Sequence, residues 1–155
     1  MINSKAYEDR TDLEKIQSQW NKLGGLHLRQ ESSAAIVRAA TAAELAANFA
    51  IRQEFSQKSE FKSEFIDSVL MWANGISGKI DRLLIPLTLD EAHQKIIQRL
   101  GTLAKEINKK RNSVAHQGEF CNQAEAQLII DKSKEFIETL VKIYEPKFEL
   151  KDKDI

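Results

Sequence analysis

The sequence predicts an all-α protein, an up-and-down bundle of about five helices in one domain over residues 1–155. Apolar residues recur at three- and four-residue spacing along five stretches of the chain, which is the period of one helix face. Only two prolines and six glycines interrupt the 155 residues. A chain of this length can bury one sizeable hydrophobic core.

The first helix is predicted to begin with a capping box, because Thr11 is followed three residues later by Glu14. Trp20 lies on the apolar stripe of this helix, so we interpret it as a core residue, and we expect Gly24-Gly25 to end the helix. The second helix, over about 33–57, is rich in alanine, the strongest helix former. We therefore predict that it is central to the bundle.

Between residues 60 and 86 the pattern fits either one kinked helix or two short ones. Gly75 and Gly78 weaken a helix here, and Pro86 is expected to break the chain. The apolar arc is wide enough to predict burial on two sides. Its stripe consists of Phe61, Phe65, Val69, Trp72 and Ile76, widened by Ile66, Leu70 and Met71.

The fourth helix is predicted to open with Thr88, which a glutamate follows three residues later, and to continue to about Ala115. Asn122 has the same relation to a glutamate and is expected to begin the last helix. Charges alternate along the tail, residues 147–155, which we expect to be frayed or mobile.

Strongly polar side chains interrupt the buried stripe of the fourth helix. Its period places Arg111 on that stripe, so the guanidinium is predicted to point inward. A guanidinium stays protonated in proteins, so it requires a bound anion, a carboxylate partner or a water-filled cleft. Asn112 and His116 are four residues apart and become stacked neighbours if the helix continues that far. The preceding members of the stripe are His93, Ile97, Leu100, Ala104 and Ile107.

Two interpretations of Arg111 fit this spacing. In one, Arg111 pairs with a buried carboxylate and His116 simply ends the helix before Gly118. In the other, the polar residues form a functional site. Glu44 and Asn48 lie one turn apart on the second helix, either as part of a solvated stripe or as partners of Arg111 across the bundle, with Glu44 the preferred partner.

Lys105, Lys109 and Lys110 lie within two turns of Arg111, so we predict a locally basic ridge beside the candidate site, the alternative being a solvated face. The functional interpretation assigns proton transfer to His116, because the unperturbed pKa of histidine, about 6.5, lies near neutral pH. It assigns phosphate binding to Arg111, whose planar fork matches phosphate oxygens.

The string Arg111-Asn112-Ser113-Val114-Ala115-His116 resembles the signature of the HEPN domains, named for higher eukaryote and prokaryote nucleotide-binding. Gly118 and the helical run over 124–144 resemble the flanks of that signature. The resemblance covers about residues 90–145, and the earlier helices agree in kind only. It implies a helical bundle, usually paired two-fold, in which the motifs of two copies face each other across a cleft.

Many HEPN proteins are similar to metal-independent RNA-cleaving enzymes, often toxins or defence proteins. The resemblance therefore implies an endoribonuclease with catalytic Arg111, Asn112 and His116 at a homodimer cleft, and an antitoxin as a further partner. On this interpretation the basic ridge of Lys105, Lys109 and Lys110 contacts the RNA. Other members are non-catalytic modules. The alternative function is accordingly a module that binds a nucleotide or a partner protein in the same cleft.

Composition excludes several other classes. Twenty-three basic and twenty-three acidic residues cancel, so any nucleic-acid site must be local, and we expect no DNA sequence reader. One cysteine, Cys121, and three histidines lack the spacing of metal ligands, so we expect no metal. No glycine motif that cradles phosphates is present, and we expect no cofactor.

The same features predict a cytoplasmic protein. A single cysteine suits a reducing compartment. The first ten residues carry charges and no apolar run typical of a signal peptide. No stretch approaches the roughly 18 uninterrupted apolar residues of a membrane span.

Overall fold

The computed structural model describes residues 5–58, 61–73 and 75–152, which form an all-helical bundle without a strand in these ranges. A short 3-10 turn, Tyr7–Asp9, precedes the first long helix. The helices are α1, Asp12–Leu28; α2, Ser32–Lys58; α3, Ser63–Trp72; α4, residues 75–87; α5, Glu91–Gln117; and α6, Gln123–Lys142.

The segment between residues 60 and 86 forms two helices, not one kinked helix. Ala73 has an extended ψ of 94°, and Gly75 has a φ of 76°, so helical geometry is interrupted between α3 and α4. The central part of α4 has the wider π-helical turn, which is rare and frequently lies at functional sites. The three parts of α4 are Gly75–Gly78, Lys79–Leu84 (the π-helical part) and Ile85–Leu87.

Two of the predicted caps are confirmed. The Thr11 hydroxyl accepts a hydrogen bond from the Glu14 N–H at 3.2 Å, and the Glu14 carboxylate accepts one from the Thr11 N–H. The Asn122 side chain accepts from the Glu125 N–H at 2.8 Å. In contrast, α1 continues past Gly24-Gly25, because its packing on α2 outweighs a cost of about 1 kcal/mol per helical glycine.

The predicted boundary between α4 and α5 is wrong in detail. Pro86 does not break the chain, because it lies in the last turn of α4. Thr88 ends α4 and does not cap α5, since its hydroxyl donates a hydrogen bond to the Leu84 carbonyl at 2.7 Å. The cap of α5 is Asp90, whose carboxylate accepts from the His93 N–H at 2.9 Å.

Helix α2 lies at the centre of the bundle and contacts every other helix. Its alanine faces let neighbouring backbones approach closely, so the small side chains are fully enclosed. Phe136, Ile137 and Leu140 of α6 are equally buried and complete the core. The fully buried alanines of α2 are Ala35, Ala39, Ala42, Ala43, Ala46, Ala47 and Ala50.

By length and composition, α2 is also the one described helix that is apolar enough to cross a membrane, with a mean hydropathy of 1.3 over 18 residues. Core helices pass the same test, and 61% of that window is buried inside the bundle.

Helix α3 buries one side only, against the prediction of burial on two sides. Ile66 and Leu70 face the bundle, whereas Met71 is 80% exposed and Trp72 is 86% exposed. Periodicity identifies which residues share a face, but the bundle covers only part of this wide arc. We call the uncovered residues the α3 apolar face: Phe61, Phe65, Met71 and Trp72.

The tail packs against the bundle as far as Asp152, contrary to the expectation for residues 147–155. Leu150 is buried, and the Asp152 carboxylate accepts a hydrogen bond from the indole N–H of Trp20 at 2.9 Å. Trp20 itself is 4% exposed, which confirms it as a core residue. Residues 153–155 lie outside the described part of the chain.

Candidate functional site

The last two turns of α5 carry Arg111, Asn112 and His116. The helix continues through all three residues, so Asn112 and His116 lie on one face as expected. It ends at Gly118, whose φ of 63° is left-handed and whose N–H donates to the Ser113 carbonyl. A glycine is favoured there because it has no Cβ to crowd the backbone in the left-handed conformation.

The three side chains are in direct contact. The Arg111 guanidinium lies 3.3 Å from Oδ1 of Asn112 and 3.3 Å from Nε2 of His116. Arginine has donors only, so both contacts are hydrogen bonds in which Asn112 and His116 accept. The Nε2 atom of His116 therefore presents its lone pair to the guanidinium.

These side chains line an open cleft of about 420 Å³ between α2, α4 and α5. Arg111 and Asn112 are half-buried in its wall, and His116 is exposed at the end of α5. An inward arginine was expected to need a bound anion, a carboxylate partner or a water-filled cleft, and in the structure it borders an open cleft. The other lining residues are Ala40, Thr41, Glu44, Gly75, Ile76 and Asn108.

Glu44 lies in the same cleft, but the predicted ion pair with Arg111 is wrong. Its carboxylate accepts a hydrogen bond from Nζ of Lys79 at 2.7 Å. Lys79 is only 5% exposed and lies in the π-helical part of α4. A nearly buried ammonium needs a carboxylate partner more than a half-exposed guanidinium does, which explains the exchange of partners.

Asn48 is not a partner of Arg111 either. It lines a neighbouring cleft of about 300 Å³ beside Arg52, Asp67 and Lys79, and Glu44 borders both clefts. Its side-chain oxygen is buried and has no hydrogen-bond partner within the part of the chain that the structure describes. The sequence placed it on the correct side of α2 but one turn too far from the candidate site.

The structure divides the three predicted RNA-contacting lysines. Lys105 and Lys109 are exposed and line a further cleft of about 470 Å³, which we call the second cleft. It shares Asn108 and Asn112 with the cleft that Arg111 and His116 line. Lys110 points elsewhere and forms ion pairs with two carboxylates, at 2.7 Å and 2.6 Å. Two of the three lysines therefore border this cleft, and Lys110 is held in ion pairs with Glu119 and Glu125.

Asn108 is a site residue that the sequence analysis missed. It lies one turn before Asn112 and so forms a column with Asn112 and His116 at four-residue spacing, a signal that was present in the sequence. A Cβ at Gly75 would lie 3.1 Å from the side-chain oxygen of Asn108. Glycine at position 75 therefore leaves room for this amide between the two clefts.

One group of potential metal ligands comes together in the described ranges: Glu119, Cys121 and Glu125. The Lys110 ammonium already bonds both carboxylates, and these bonds raise the pKa of Lys110 and lower that of Glu125. Burial raises the pKa of the Cys121 thiol, which keeps it protonated. A site that holds an ammonium ion and a neutral thiol is a poor fit for a metal cation.

Comparison of the chain with protein-family models, with curated proteins and with solved structures gives no significant match.

Proposed function

We propose that this protein is a metal-independent endoribonuclease with a HEPN-like, up-and-down helical bundle, and that Arg111, Asn112 and His116 form its site. The observation that supports this proposal is the direct contact of a guanidinium, an amide and an imidazole at the wall of an open cleft. Such a set can bind a phosphate and transfer a proton.

The reaction uses the ribose 2′-hydroxyl as the nucleophile. A base removes its proton, O2′ attacks phosphorus, and the bond from phosphorus to O5′ breaks as an acid protonates O5′. The products are a 2′,3′-cyclic phosphate and a 5′-hydroxyl end. Arg111 steadies the extra charge on phosphorus, Asn112 orients a phosphate oxygen or His116, and His116 moves a proton.

The second cleft supplies a path for the flanking RNA. Lys105 and Lys109 are exposed beside it, and Asn108 and Asn112 connect it to the site. A phosphate next to the scissile one would meet these two ammonium groups. The local positive charge is compatible with the balanced charge of the whole chain, because only a short stretch of RNA is bound.

We also propose that the protein is a homodimer that pairs through the α3 apolar face. Exposed tryptophan and methionine side chains at the end of α3 are typical of interface residues, and this end leads directly to Gly75 in the cleft wall. A two-fold pair would bring two clefts near each other. Toxin or defence activity in the cytoplasm, with an antitoxin as partner, completes the proposal.

The proposed activity is tested by incubating the purified protein with mixed RNA in the presence of a chelator and analysing the product ends. We expect cleavage that persists without metal and leaves 2′,3′-cyclic phosphate and 5′-hydroxyl ends. Binding of RNA or nucleotide without any cleavage would instead assign the cleft to the non-catalytic binding module.

A further inference from the structure

The candidate cleft contains one carboxylate, Glu44, among the described residues that line it. Glu44 belongs to the α2 wall, whereas Arg111 and His116 belong to the α5 wall. Glu44 and Arg111 both lie in the part of the chain that the structure describes, and they form no ion pair with each other. The cleft between the two walls therefore stays open. A substrate phosphate bound by Arg111 would therefore lie in a space that a carboxylate and an imidazole both border.

We infer that Glu44 is the second proton-transfer group of this site, the general base that complements His116 as the general acid. This inference rests on the proposed ribonuclease function and names a residue of the same chain for the role that a second histidine would otherwise fill. Each cleft is then chemically complete within one protomer.

The balance of the step follows from the two charge states. The ionised Glu44 carboxylate takes the 2′-hydroxyl proton as O2′ bonds to phosphorus. His116, protonated, gives its proton to O5′ as the bond from phosphorus to O5′ breaks. Glu44 is left protonated and His116 neutral, and exchange of one proton with water at each group restores the starting state.

Lys79 fits this assignment because it prepares the base. Its ammonium is nearly buried and bonds Oε1 of Glu44, while the Glu44 side chain remains 40% exposed toward solvent. The short contact with a nearly buried partner fixes the position of the carboxylate. A carboxylate that served only to neutralise Lys79 would not need to border the cleft.

A bound phosphate also explains how His116 becomes the acid. In the structure its Nε2 accepts a hydrogen bond from Arg111, so that atom carries no proton. A phosphate that draws the guanidinium away frees Nε2 from this hydrogen bond. The nitrogen that the step uses thus becomes available when the substrate binds.

The test uses three variants of the full chain, Glu44→Gln, Lys79→Met and the double variant. We expect Glu44→Gln to lower RNA cleavage by about 10²–10⁴-fold, the contribution of a positioned base. The double variant removes the carboxylate and its buried partner together, which avoids an unpaired ammonium and keeps the fold. It should remain as inactive as Glu44→Gln.

A pH profile separates catalysis from structure. In the wild type the rate should fall on the acid side as the base becomes protonated, and this acid limb should disappear in the residual activity of Glu44→Gln. Lys79→Met keeps the carboxylate and should keep the acid limb. The charged and titratable groups that face Glu44 are Lys79 of α4, Arg111 and His116 of α5, Arg52 of α2 and Asp67 of α3.

Two outcomes would overturn the inference alone: a Glu44→Gln protein that cuts RNA at a rate comparable with the wild type, or activity restored in the double variant. A wild-type protein that cuts no RNA would overturn the proposed function together with this inference. Circular dichroism of each variant should show unchanged helix content, which separates a catalytic loss from misfolding.

Discussion

The Arg111 guanidinium lies 3.3 Å from Nε2 of His116, and this contact makes His116 a hydrogen-bond acceptor in the resting site. We propose that Arg111 keeps this nitrogen occupied until an anion competes for the guanidinium. In the proposed reaction, phosphate binding then frees the imidazole.

The first prediction follows from this contact between Arg111 and His116. His116→Ala should lower cleavage by about 10²–10⁴-fold, because it removes the acid while a phosphate can still bind to Arg111. Helix content should not change, since His116 is exposed in the last turn of α5. The matched control is His93→Ala at the opposite end of the same helix. Cleavage that disappears with chelator and survives His116→Ala would contradict the mechanism.

The second prediction separates the three lysines. The double variant Lys105→Gln, Lys109→Gln should weaken RNA binding and reduce the slope of log K against log salt by up to about 1.4, because each single-strand phosphate contact contributes about 0.7. Lys110→Gln should leave this slope unchanged, since Lys110 is paired with Glu119 and Glu125. The measurement is RNA affinity at several salt concentrations. An equal loss of slope in Lys110→Gln would show that its ion pairs open for RNA.

The third prediction concerns the glycines of α4. Gly75→Ala should destabilise the protein by about 1–2 kcal/mol, because Gly75 has a φ of 76°, and should push the Asn108 amide by a few tenths of an ångström. RNA affinity should fall with it. Gly78→Ala is the control, because a Cβ at Gly78 meets nothing within 4 Å. Urea unfolding and RNA binding measure the two effects, and an unchanged affinity in Gly75→Ala would remove Asn108 from the site.

The sequence predicts a structural feature well when the interacting residues are close together along the chain, and poorly when they meet only through packing. The caps at Thr11 and Asn122 were readable because both partners lie within three residues. The cap of α5 was not, because Thr88 and Asp90 are both competent, and only the Leu84 carbonyl decides between them. The all-helical class follows from the period and needs no tertiary information.

The site shows the same limit. Placing Arg111, Asn112 and His116 together required only the helix period, since all three belong to α5. The partner of Glu44 depends on how three helices pack, and Lys79 reaches that position through a π-helical turn that no propensity predicts. Period alone likewise defines the α3 apolar face without stating what covers it.

The fourth prediction concerns the tail. A hydrogen bond from the Trp20 indole is the largest cause that holds the pKa of the Asp152 carboxyl below its usual value, and a hydrogen bond from Lys134 is the next. A carboxyl whose pKa is lower in the folded state contributes stability above its unfolded pKa of about 3.9, and that contribution is lost as the pH falls through the folded value. Asp152→Asn should therefore reduce the free energy of unfolding by up to about 1 kcal/mol at pH 7, since the group is largely exposed.

At pH 3 the difference between the wild type and Asp152→Asn should shrink, because the wild-type carboxyl begins to protonate. Urea unfolding of both proteins at pH 7 and pH 3 measures this change. An identical difference at both values would mean that the charge of Asp152 does not contribute. The tail would then be held by the burial of Leu150 and by the backbone hydrogen bonds of Leu150 and Lys151.

The last prediction concerns the α3 apolar face and the proposed homodimer. We expect the wild type to sediment as a dimer at micromolar concentration, and the double variant Met71→Lys, Trp72→Lys to sediment as a monomer, because two charges replace the most exposed apolar side chains of α3. The control is Leu128→Lys, which changes an exposed leucine of α6 and should remain dimeric. A wild-type monomer would contradict the homodimer. Cleavage by the monomeric variant would show that His116 and Glu44 of one chain suffice for the chemistry, whereas cleavage lost together with the dimer would indicate that the partner's His116 takes part.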